Sequence, residues 1–273
     1  QQVCSISCGC RSQAHRHGRV PGGSAGSPHD RPVVSADDNR QSLLMLMADK
    51  NLQKALEKAF AEARRRYHEQ GFQRRVGFGT KPAMINVDLA NAWTRTGNPF
   101  TCENMDEQII PSVQRLLDAF RRNKQLVVFV TTCYQNTNRS DPHTDMGLWH
   151  HKIPIEAVPQ SKPELWRIDD RIAPVEGEPI VMKKHASSFH GTFLAGYLRA
   201  AGVDTILVTG VTASACVRQT VCDGLAEGFR PIAVKECIGD RIPGALEWNL
   251  FDIDAKFADV ESLNRCVDYL DQL

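Results

Sequence analysis

Residues 206–229 read ILVTGVTASACVRQTVCDGLAEGF, and this stretch decides the fold. Its first four residues are apolar or β-branched, which is typical of a buried strand. Small residues follow Gly210, and from Cys216 the apolar spacing becomes that of a helix ending at Gly228. A strand followed directly by a helix is the repeating unit of a parallel α/β sheet. The sequence therefore places Cys216 on the first turn of a helix, just after a core strand.

The position of Cys216 has chemical consequences. The free N–H groups and the dipole at a helix N-terminus favour a thiolate over a thiol. The same N–H groups can bind a developing oxyanion. We therefore expect a reactive nucleophile here, although this stretch alone leaves open a buried structural cysteine.

The composition excludes several functional classes. The chain has 273 residues, of which 42% are apolar, and a net charge of +1. The near-zero charge gives no sign of nucleic-acid or membrane-surface binding. No apolar run reaches the roughly 18 residues of a transmembrane helix. The nine cysteines are odd in number and scattered, which indicates the thiols of a cytoplasmic protein and not a disulfide framework.

Residues 1–46 differ from the rest of the chain. They are rich in Gly, Ser, Arg, His and Pro and lack a periodic apolar face. We predict a disordered N-terminal extension over residues 1–46 and one folded α/β domain over residues 47–273. Met45 or Met47 would suit a start, so we expect the segment to be an upstream extension. The cysteines and histidines of residues 4–17 match no standard zinc spacing, and no metal is predicted there.

The remaining pattern alternates strands and helices. It predicts helices over residues 52–68, 105–122, 192–201 and 260–270, and strands over residues 83–88, 126–131, 179–182, 205–209 and 231–234. This alternation favours a three-layer α/β/α sandwich with a mostly parallel sheet of about six strands. The aperiodic residues 133–179 indicate a functional segment or an interface. Their adjacent His150 and His151 seldom suit one metal ion, so none is predicted.

Reactive side chains follow three of the predicted strands. Asp88 follows the first strand, Lys183 and Lys184 follow the third, and Cys216 follows the fourth. Ligands of open parallel sheets bind outside these ends. A thiolate could attack an acyl or carbamoyl carbon, a carboxylate could move the proton, and an ammonium could stabilise the charge. The alternatives are an aspartate that caps a turn and lysines that are merely solvated.

Several segments together resemble a known family. They are VDLANAW (87–93), DMGLWHHKIP (145–154), RIDDRIAP (167–174), KKHASSFHGT (183–192), TGVTASACVRQTV (209–221), GFRPI (228–232) and IGDRIPGALEWNLFDIDAKFADVES (238–262). From about residue 75 to its end, the chain resembles the isochorismatase-like cysteine hydrolases. Among them it is most similar to the N-carbamoylsarcosine amidases.

The resemblance implies a catalytic triad of Asp88, Lys183 and Cys216. The family places its lysine six residues before the phenylalanine of an S-x-F-x-G-T motif. That phenylalanine is Phe189 here, which selects Lys183 over Lys184. The family also implies an oxyanion hole from the backbone N–H groups of Thr212 and Cys216, with a cis peptide between Val211 and Thr212.

The resemblance further implies a small carboxylate substrate, no cofactor and no metal. Arg241 would bind the substrate carboxylate through its planar fork. Without the resemblance, an ion pair of Arg241 with Asp240 or Glu236 would be favoured. Trp93, Trp149 and Phe189 are expected to wall the pocket.

The expected reaction is hydrolysis of the carbamoyl C–N bond of N-carbamoylsarcosine through a thiocarbamate. The alternatives are a maleamate-type or other small-carboxylate amidase of the same fold, and a non-catalytic binding protein on this scaffold. The family and the aromatic-rich residues 133–179 lead us to expect a homo-oligomer, with the homotetramer as a common form.

Overall fold

The computed structural model describes residues 36–134, 146–242 and 244–273. Its α-helices are α1 (Ala36–Glu69), α2 (Asn91–Thr94), α3 (Ile110–Arg122), α4 (Pro163–Trp166), α5 (Leu194–Ala200), α6 (Arg218–Ala226), α7 (Ala245–Lys256) and α8 (Leu263–Leu270). Its strands are β1 (Pro82–Val87), β2 (Leu126–Thr132), β3 (Ile180–Lys183), β4 (Thr205–Val211), β5 (Arg230–Gly239) and β6 (Asp259–Glu261). Two π-helical turns, Met105–Ile109 and Ala213–Val217, precede α3 and α6.

The six strands form one parallel sheet in the order β3-β2-β1-β4-β5-β6. The central strands β1 and β4 are buried along their whole length. This agrees with their nearly continuous apolar sequences, since helices cover both faces of a parallel sheet.

Two hydrophobic clusters lie on the two faces of the sheet. One face packs against α3 and α8 through residues such as Leu116 and Cys266. The other packs against α5, α6 and α7 through residues such as Leu198, Val221 and Ile253. The predicted three-layer α/β/α sandwich with about six strands is therefore confirmed.

Some predicted elements needed correction. The helix predicted over residues 52–68 begins earlier, at Ala36, so residues 36–46 of the predicted disordered segment are helical. Residues 1–35 lie outside the described residues. Residues 259–261 form β6, not the start of the last helix, because they pair with β5. Helix α7 was not predicted, since its sequence is apolar around most of its circumference. By its contacts the chain divides into two units, residues 1–49 and 50–273, and the predicted boundary at 46/47 stays a prediction.

Three properties of the described residues concern membranes, metals and disulfides. No helix there is both long and apolar enough to cross a membrane. No group of three or more metal-binding side chains occurs among them. The six cysteines within the described ranges form no disulfide.

Asp169 fastens the loop after α4 to α2. Its fully buried carboxylate accepts hydrogen bonds from the Thr94 hydroxyl at 2.6 Å and from Nη2 of Arg95 at 2.9 Å. Nε and Nη2 of Arg171 donate to it at 2.9 and 2.8 Å. Burial would raise the pKa of Asp169, but the hydrogen bonds from Arg171 and Thr94 outweigh it and lower the pKa to about 2.

We expect Asp169 to make folding acid-sensitive. Because its pKa is lowered from 3.8 to about 2, its contribution is present above pH 3.8 and is lost as the pH falls toward 2. The lost free energy of unfolding is about 2 kcal/mol. Asp169→Asn should show a weaker acid dependence in urea unfolding measured over this range. Asp170→Asn is the control, because that side chain is 70% exposed. Equal acid dependence in wild type and Asp169→Asn would contradict the assignment.

Candidate active site

Asp88, Lys183 and Cys216 meet at the carboxyl edge of the sheet. The ammonium Nζ of Lys183 lies 2.8 Å from Oδ2 of Asp88 and 3.4 Å from Sγ of Cys216. Asp88 and Lys183 are buried, with 0% and 1% of their surfaces exposed. The Asp88 carboxylate accepts hydrogen bonds from the Lys183 ammonium and the Cys216 thiol, and both contacts raise the pKa of the partner group. The contact with Lys183 is therefore an ion pair, and the carboxylate keeps the capacity to accept a proton.

The strand order explains this meeting. Asp88 follows the central strand β1, the π-helical turn with Cys216 follows the neighbouring β4, and Lys183 ends β3, two strands away. The long lysine side chain covers that separation. The Thr132 hydroxyl donates to the Lys183 carbonyl at 2.9 Å, which fixes the backbone of Lys183. The neighbouring Lys184 instead donates from Nζ to the Cys133 carbonyl at 2.6 Å.

Gly210 allows β4 to lie against the end of β1. Its φ is 105°, in the region that favours glycine. A Cβ at this position would lie 1.9 Å from the Val87 carbonyl oxygen. Asp88 itself has a φ of 53°, which aspartate and asparagine tolerate better than most residues. The two backbones therefore approach closely where the acid and the thiol meet.

The turn with Cys216 begins after Thr212. The peptide bond between Val211 and Thr212 is cis. The Thr212 carbonyl accepts hydrogen bonds from the N–H groups of Ala215 and Val217, which forms the π-helical turn. Cys216 thus stands in a turn that precedes α6, not in the first turn of an α-helix as predicted. The Thr212 and Cys216 backbones lie at the same edge as Asp88.

The expected low pKa of Cys216 is wrong for the structure without substrate. Burial raises the pKa of the Cys216 thiol to about 12, and the Lys183 ammonium acts in the opposite direction without overcoming it. The Asp88 carboxylate also raises this pKa. Burial would lower the pKa of Lys183, but the Asp88 carboxylate outweighs burial and raises this pKa. The resting site therefore holds an Asp88–Lys183 ion pair beside a neutral thiol.

Arg241 lies next to this set, two residues after β5. Its Nη1 donates to the Phe100 carbonyl at 3.3 Å and lies 4.0 Å from Sγ of Cys102. Its guanidinium carbon is 5.8 Å from the centre of the Phe100 ring. Both Arg241 and Cys216 act on the pKa of Cys102, which burial raises to about 12. Cys102 therefore contacts the guanidinium and lies close enough to the nucleophile to be influenced by its charge.

The ion-pair alternative for Arg241 is not found among the described residues. The Asp240 carboxylate binds the backbone N–H of Arg241, not its guanidinium. Glu236 accepts the backbone N–H of Leu263 at 2.7 Å. Within the described ranges, the guanidinium has no carboxylate partner and is only partly buried.

The three predicted pocket aromatics are placed differently. The Trp93 ring is 5.1 Å from the Phe100 ring that contacts Arg241. Trp149 is half-buried against the hydrophobic cluster that contains Trp93. Phe189 belongs to the opposite cluster and stacks on Phe229 at 5.9 Å. Cys216 also packs against this cluster, and Phe189 is 6% exposed, so its role as a pocket wall stays a prediction.

Sequence reasoning missed Tyr134 and Cys102. Tyr134 follows β2 at the same edge and is 4% exposed. Burial raises its pKa to about 12, while Lys183 acts to lower it, which places the phenol near the ion pair. Its position after a strand was a usable signal, the one that identified Asp88. Cys102 had no such signal, since it lies in a loop.

The comparisons with known proteins give the family. Residues 82–265 match the isochorismatase domain model. The chain is 51% identical to the N-carbamoylsarcosine amidase of an Arthrobacter species over 219 residues, which cover 80% of this chain and 82% of the relative. It is 35% identical to the maleamate amidohydrolase of Pseudomonas putida over 204 residues, covering 73% of this chain and 92% of the relative.

A solved structure agrees on the fold. A cysteine hydrolase from Pseudomonas syringae superposes with a TM-score of 0.65 at 22% identity and covers 73% of this chain and 98% of its own. The chain therefore belongs to the isochorismatase family, as a hydrolase of amide C–N bonds.

Proposed function

We propose that the chain hydrolyses the carbamoyl C–N bond of N-carbamoylsarcosine to sarcosine, ammonia and carbon dioxide. The observation that carries this proposal is the buried Asp88–Lys183 ion pair, with Nζ of Lys183 3.4 Å from the Cys216 thiol. The substrate is suggested by the relative that is 51% identical, an N-carbamoylsarcosine amidase.

The first step transfers the Cys216 proton to Asp88. Because the resting thiol is neutral, the thiolate forms only as Sγ attacks the carbamoyl carbon. Asp88 suits the role of general base because its carboxylate accepts a hydrogen bond from the Cys216 thiol. Lys183 stays charged and stabilises the developing negative charge.

The second step expels ammonia. Asp88 returns the proton to the leaving nitrogen, and the backbone N–H groups of Thr212 and Cys216 bind the oxyanion. A thiocarbamate then links Cys216 to the sarcosine nitrogen. Asp88 next takes a proton from water, which attacks the same carbon. The C–S bond then breaks, and Asp88 returns the proton to the Cys216 sulfur. The released N-carboxysarcosine loses carbon dioxide to give sarcosine.

Arg241 is proposed to bind the substrate carboxylate. Its guanidinium is held by Phe100 and lacks a carboxylate partner among the described residues, so donors remain for a bidentate contact. Trp93 and Trp149 are proposed to wall the pocket beside it. No step of this reaction is assigned to a cofactor or a metal.

We expect Arg241→Ala to raise KM for carboxylate substrates about 10- to 100-fold, because a charge-assisted contact is lost. The effect on kcat should be smaller, since Arg241 is proposed to contact the carboxylate and not the reacting carbon. Steady-state ammonia release measures both constants. Arg95→Ala is the control, because its guanidinium binds the buried Asp169 instead. An unchanged KM would remove the role assigned to Arg241.

Two alternative functions are a maleamate-type amidase and a non-catalytic binding protein. A maleamate-type amidase also needs a carboxylate clamp, and a relative 35% identical is a maleamate amidohydrolase. A non-catalytic binding protein is disfavoured, because the buried Asp88–Lys183 pair beside a thiol has no binding role that an apolar core could not replace.

A substrate panel separates these functions. Ammonia release is measured from N-carbamoylsarcosine, N-carbamoylglycine, maleamate and nicotinamide. Preference for the two ureido acids is the expected result. Preference for maleamate would move the substrate to the alternative, and no ammonia from any of them would favour the binding protein.

We also propose that the protein is cytoplasmic and forms a homo-oligomer. The homotetramer is the first candidate. Large apolar side chains are exposed on the described surface, including Leu148 at 78%, Phe193 at 57% and Trp248 at 53%. Burial of such side chains favours association. Light scattering of the purified protein would give the subunit number.

A further inference from the structure

Asp240 links the two halves of the candidate site. It follows directly after Gly239, whose backbone is in register with Val211 at the end of β4. Its carboxylate is buried, with the residue 7% exposed. This position lies between the turn that carries Cys216 and the residue that is proposed to bind the carboxylate.

The two oxygens of Asp240 hold two different backbone segments. Oδ2 accepts the N–H of Ser214 at 2.8 Å, within the turn that carries Cys216. Oδ1 accepts the N–H of Arg241 at 2.7 Å. Because a carboxylate is rigid and both hydrogen bonds are short, one group fixes the distance between these two N–H groups.

The backbone of Asp240 adds a third attachment. Its carbonyl accepts the N–H of Glu103 at 3.2 Å. Residues 100–102, just before Glu103, supply the Phe100 carbonyl and the Cys102 sulfur that contact the Arg241 guanidinium. Asp240 therefore connects residues 100–102, which contact the Arg241 guanidinium, to the turn that carries Cys216.

A purely structural explanation is available. A carboxylate near the free N–H groups of a helical turn stabilises that turn wherever it lies. That role would require only the contact with Ser214. It does not account for the simultaneous contact with Arg241 or for the link to Glu103.

We infer that Asp240 is a positioning residue that sets the separation between the Cys216 thiol and the Arg241 guanidinium, and thereby the length of carboxylate substrate that reacts. This inference rests on the proposed roles of Cys216 and Arg241. Asp240 touches neither substrate nor the reacting atoms. It selects substrates whose electrophilic carbon and carboxylate are separated as in N-carbamoylsarcosine.

The test uses alkylation of Cys216 and therefore does not depend on turnover. In 4-iodobutyrate the electrophilic carbon is separated from the carboxylate by the same number of bonds as in N-carbamoylsarcosine. The neutral 4-iodobutyramide has the same length. The rate of modification of Cys216 by each reagent is measured by peptide mass spectrometry on the full chain. The ratio of the two rates cancels any change in the thiol pKa.

We expect the wild type to react roughly tenfold or more faster with the acid than with the amide, after correction for the same ratio with a free thiol. Asp240→Asn should remove most of this preference, because the amide can accept from one N–H group but presents a donor to the other. For N-carbamoylsarcosine, kcat/KM should fall about 10- to 100-fold. For the longer substrate N-carbamoyl-β-alanine, the same variant should show a much smaller fall in kcat/KM.

Asp204→Asn is the matched control. Asp204 also accepts two backbone N–H groups, those of Thr80 at 2.8 Å and Lys81 at 3.0 Å, at the opposite edge of the sheet. It should lower thermal stability without changing the rate ratio. If Asp240→Asn does not fold, Ser214→Pro decides the question, because it deletes one donor at an early turn position that tolerates proline.

The outcomes separate two failures. A wild-type preference that Asp240→Asn and Ser214→Pro both retain would overturn the positioning role and leave the proposed function intact. If Asp240→Asn lowered the rate of Cys216 modification equally for all reagents, by the same factor as Asp204→Asn, this result would also overturn the positioning role and favour a structural one. No acid preference in the wild type would refute the Arg241 clamp, and the inference with it.

Discussion

Cys216→Ala should abolish ammonia release, with a loss on the order of 10⁴- to 10⁶-fold in kcat. The sulfur is the only atom in the proposed mechanism that can form the thiocarbamate, so its removal leaves no alternative nucleophile. Binding of N-carbamoylsarcosine should survive, because Arg241 and the aromatic side chains are unchanged. Isothermal titration of the variant measures this binding separately from turnover.

The matched control is Cys222→Ala. Cys222 is a half-buried thiol on the helix that follows the nucleophile turn, and it faces neither Asp88 nor Lys183 in the contacts of the described residues. It should keep nearly full activity. Ammonia release by Cys216→Ala at more than a few per cent of the wild-type rate would refute the covalent mechanism.

Asp88→Asn should impair both catalysis and folding. Loss of the general base should lower kcat about 10²- to 10⁴-fold. The free energy of unfolding should fall by about 3 to 5 kcal/mol, because Lys183 is left buried without its carboxylate. Asparagine is the suitable replacement, since it keeps the shape and tolerates the φ of 53°. Denaturant unfolding and ammonia release measure the two effects independently.

A double variant isolates the ion pair. Asp88→Asn with Lys183→Met removes both charges, and its stability should recover part of the loss, since replacement of a whole buried pair costs less than removal of one partner. Its activity should not recover. Asp118→Asn, which changes an exposed carboxylate on α3, should alter neither quantity. If the double variant were as unstable as the sum of the single variants, the two charges would not form the proposed unit.

The neutral resting thiol fits a mechanism in which substrate completes the site. Burial keeps the proton on Cys216 although Lys183 lies 3.4 Å away. The charge of Lys183 is already matched by Asp88, so little of its field remains to stabilise a thiolate. Only the transfer of the proton to Asp88 frees that field for the sulfur. A raised thiol pKa is therefore compatible with a nucleophile whose proton moves to Asp88 during the reaction.

Most of the sheet was predictable because its signals are local. The runs around residues 83–87, 126–131 and 205–209 are buried on both sides, so their apolar character is continuous. The short β6 escaped prediction because its pairing with β5 depends on a partner distant in sequence. Helix α7 escaped because it has no polar face with a clear period, as it packs between the sheet and Phe60 of α1.

The candidate site was predictable where a residue follows a strand. Asp88, Lys183 and Cys216 share that position, and parallel strands bring their ends to one edge. The pKa of Cys216 was not predictable, because it depends on how burial and two opposite charges balance in three dimensions.

The most direct test measures ammonia and sarcosine together during turnover of N-carbamoylsarcosine by the full wild-type chain. The account predicts that both products form in equal amounts, and that neither forms with Cys216→Ala. Ammonia without sarcosine would contradict the proposed hydrolysis. Neither product from N-carbamoylsarcosine, with ammonia released from maleamate under the same conditions, would contradict the proposed substrate.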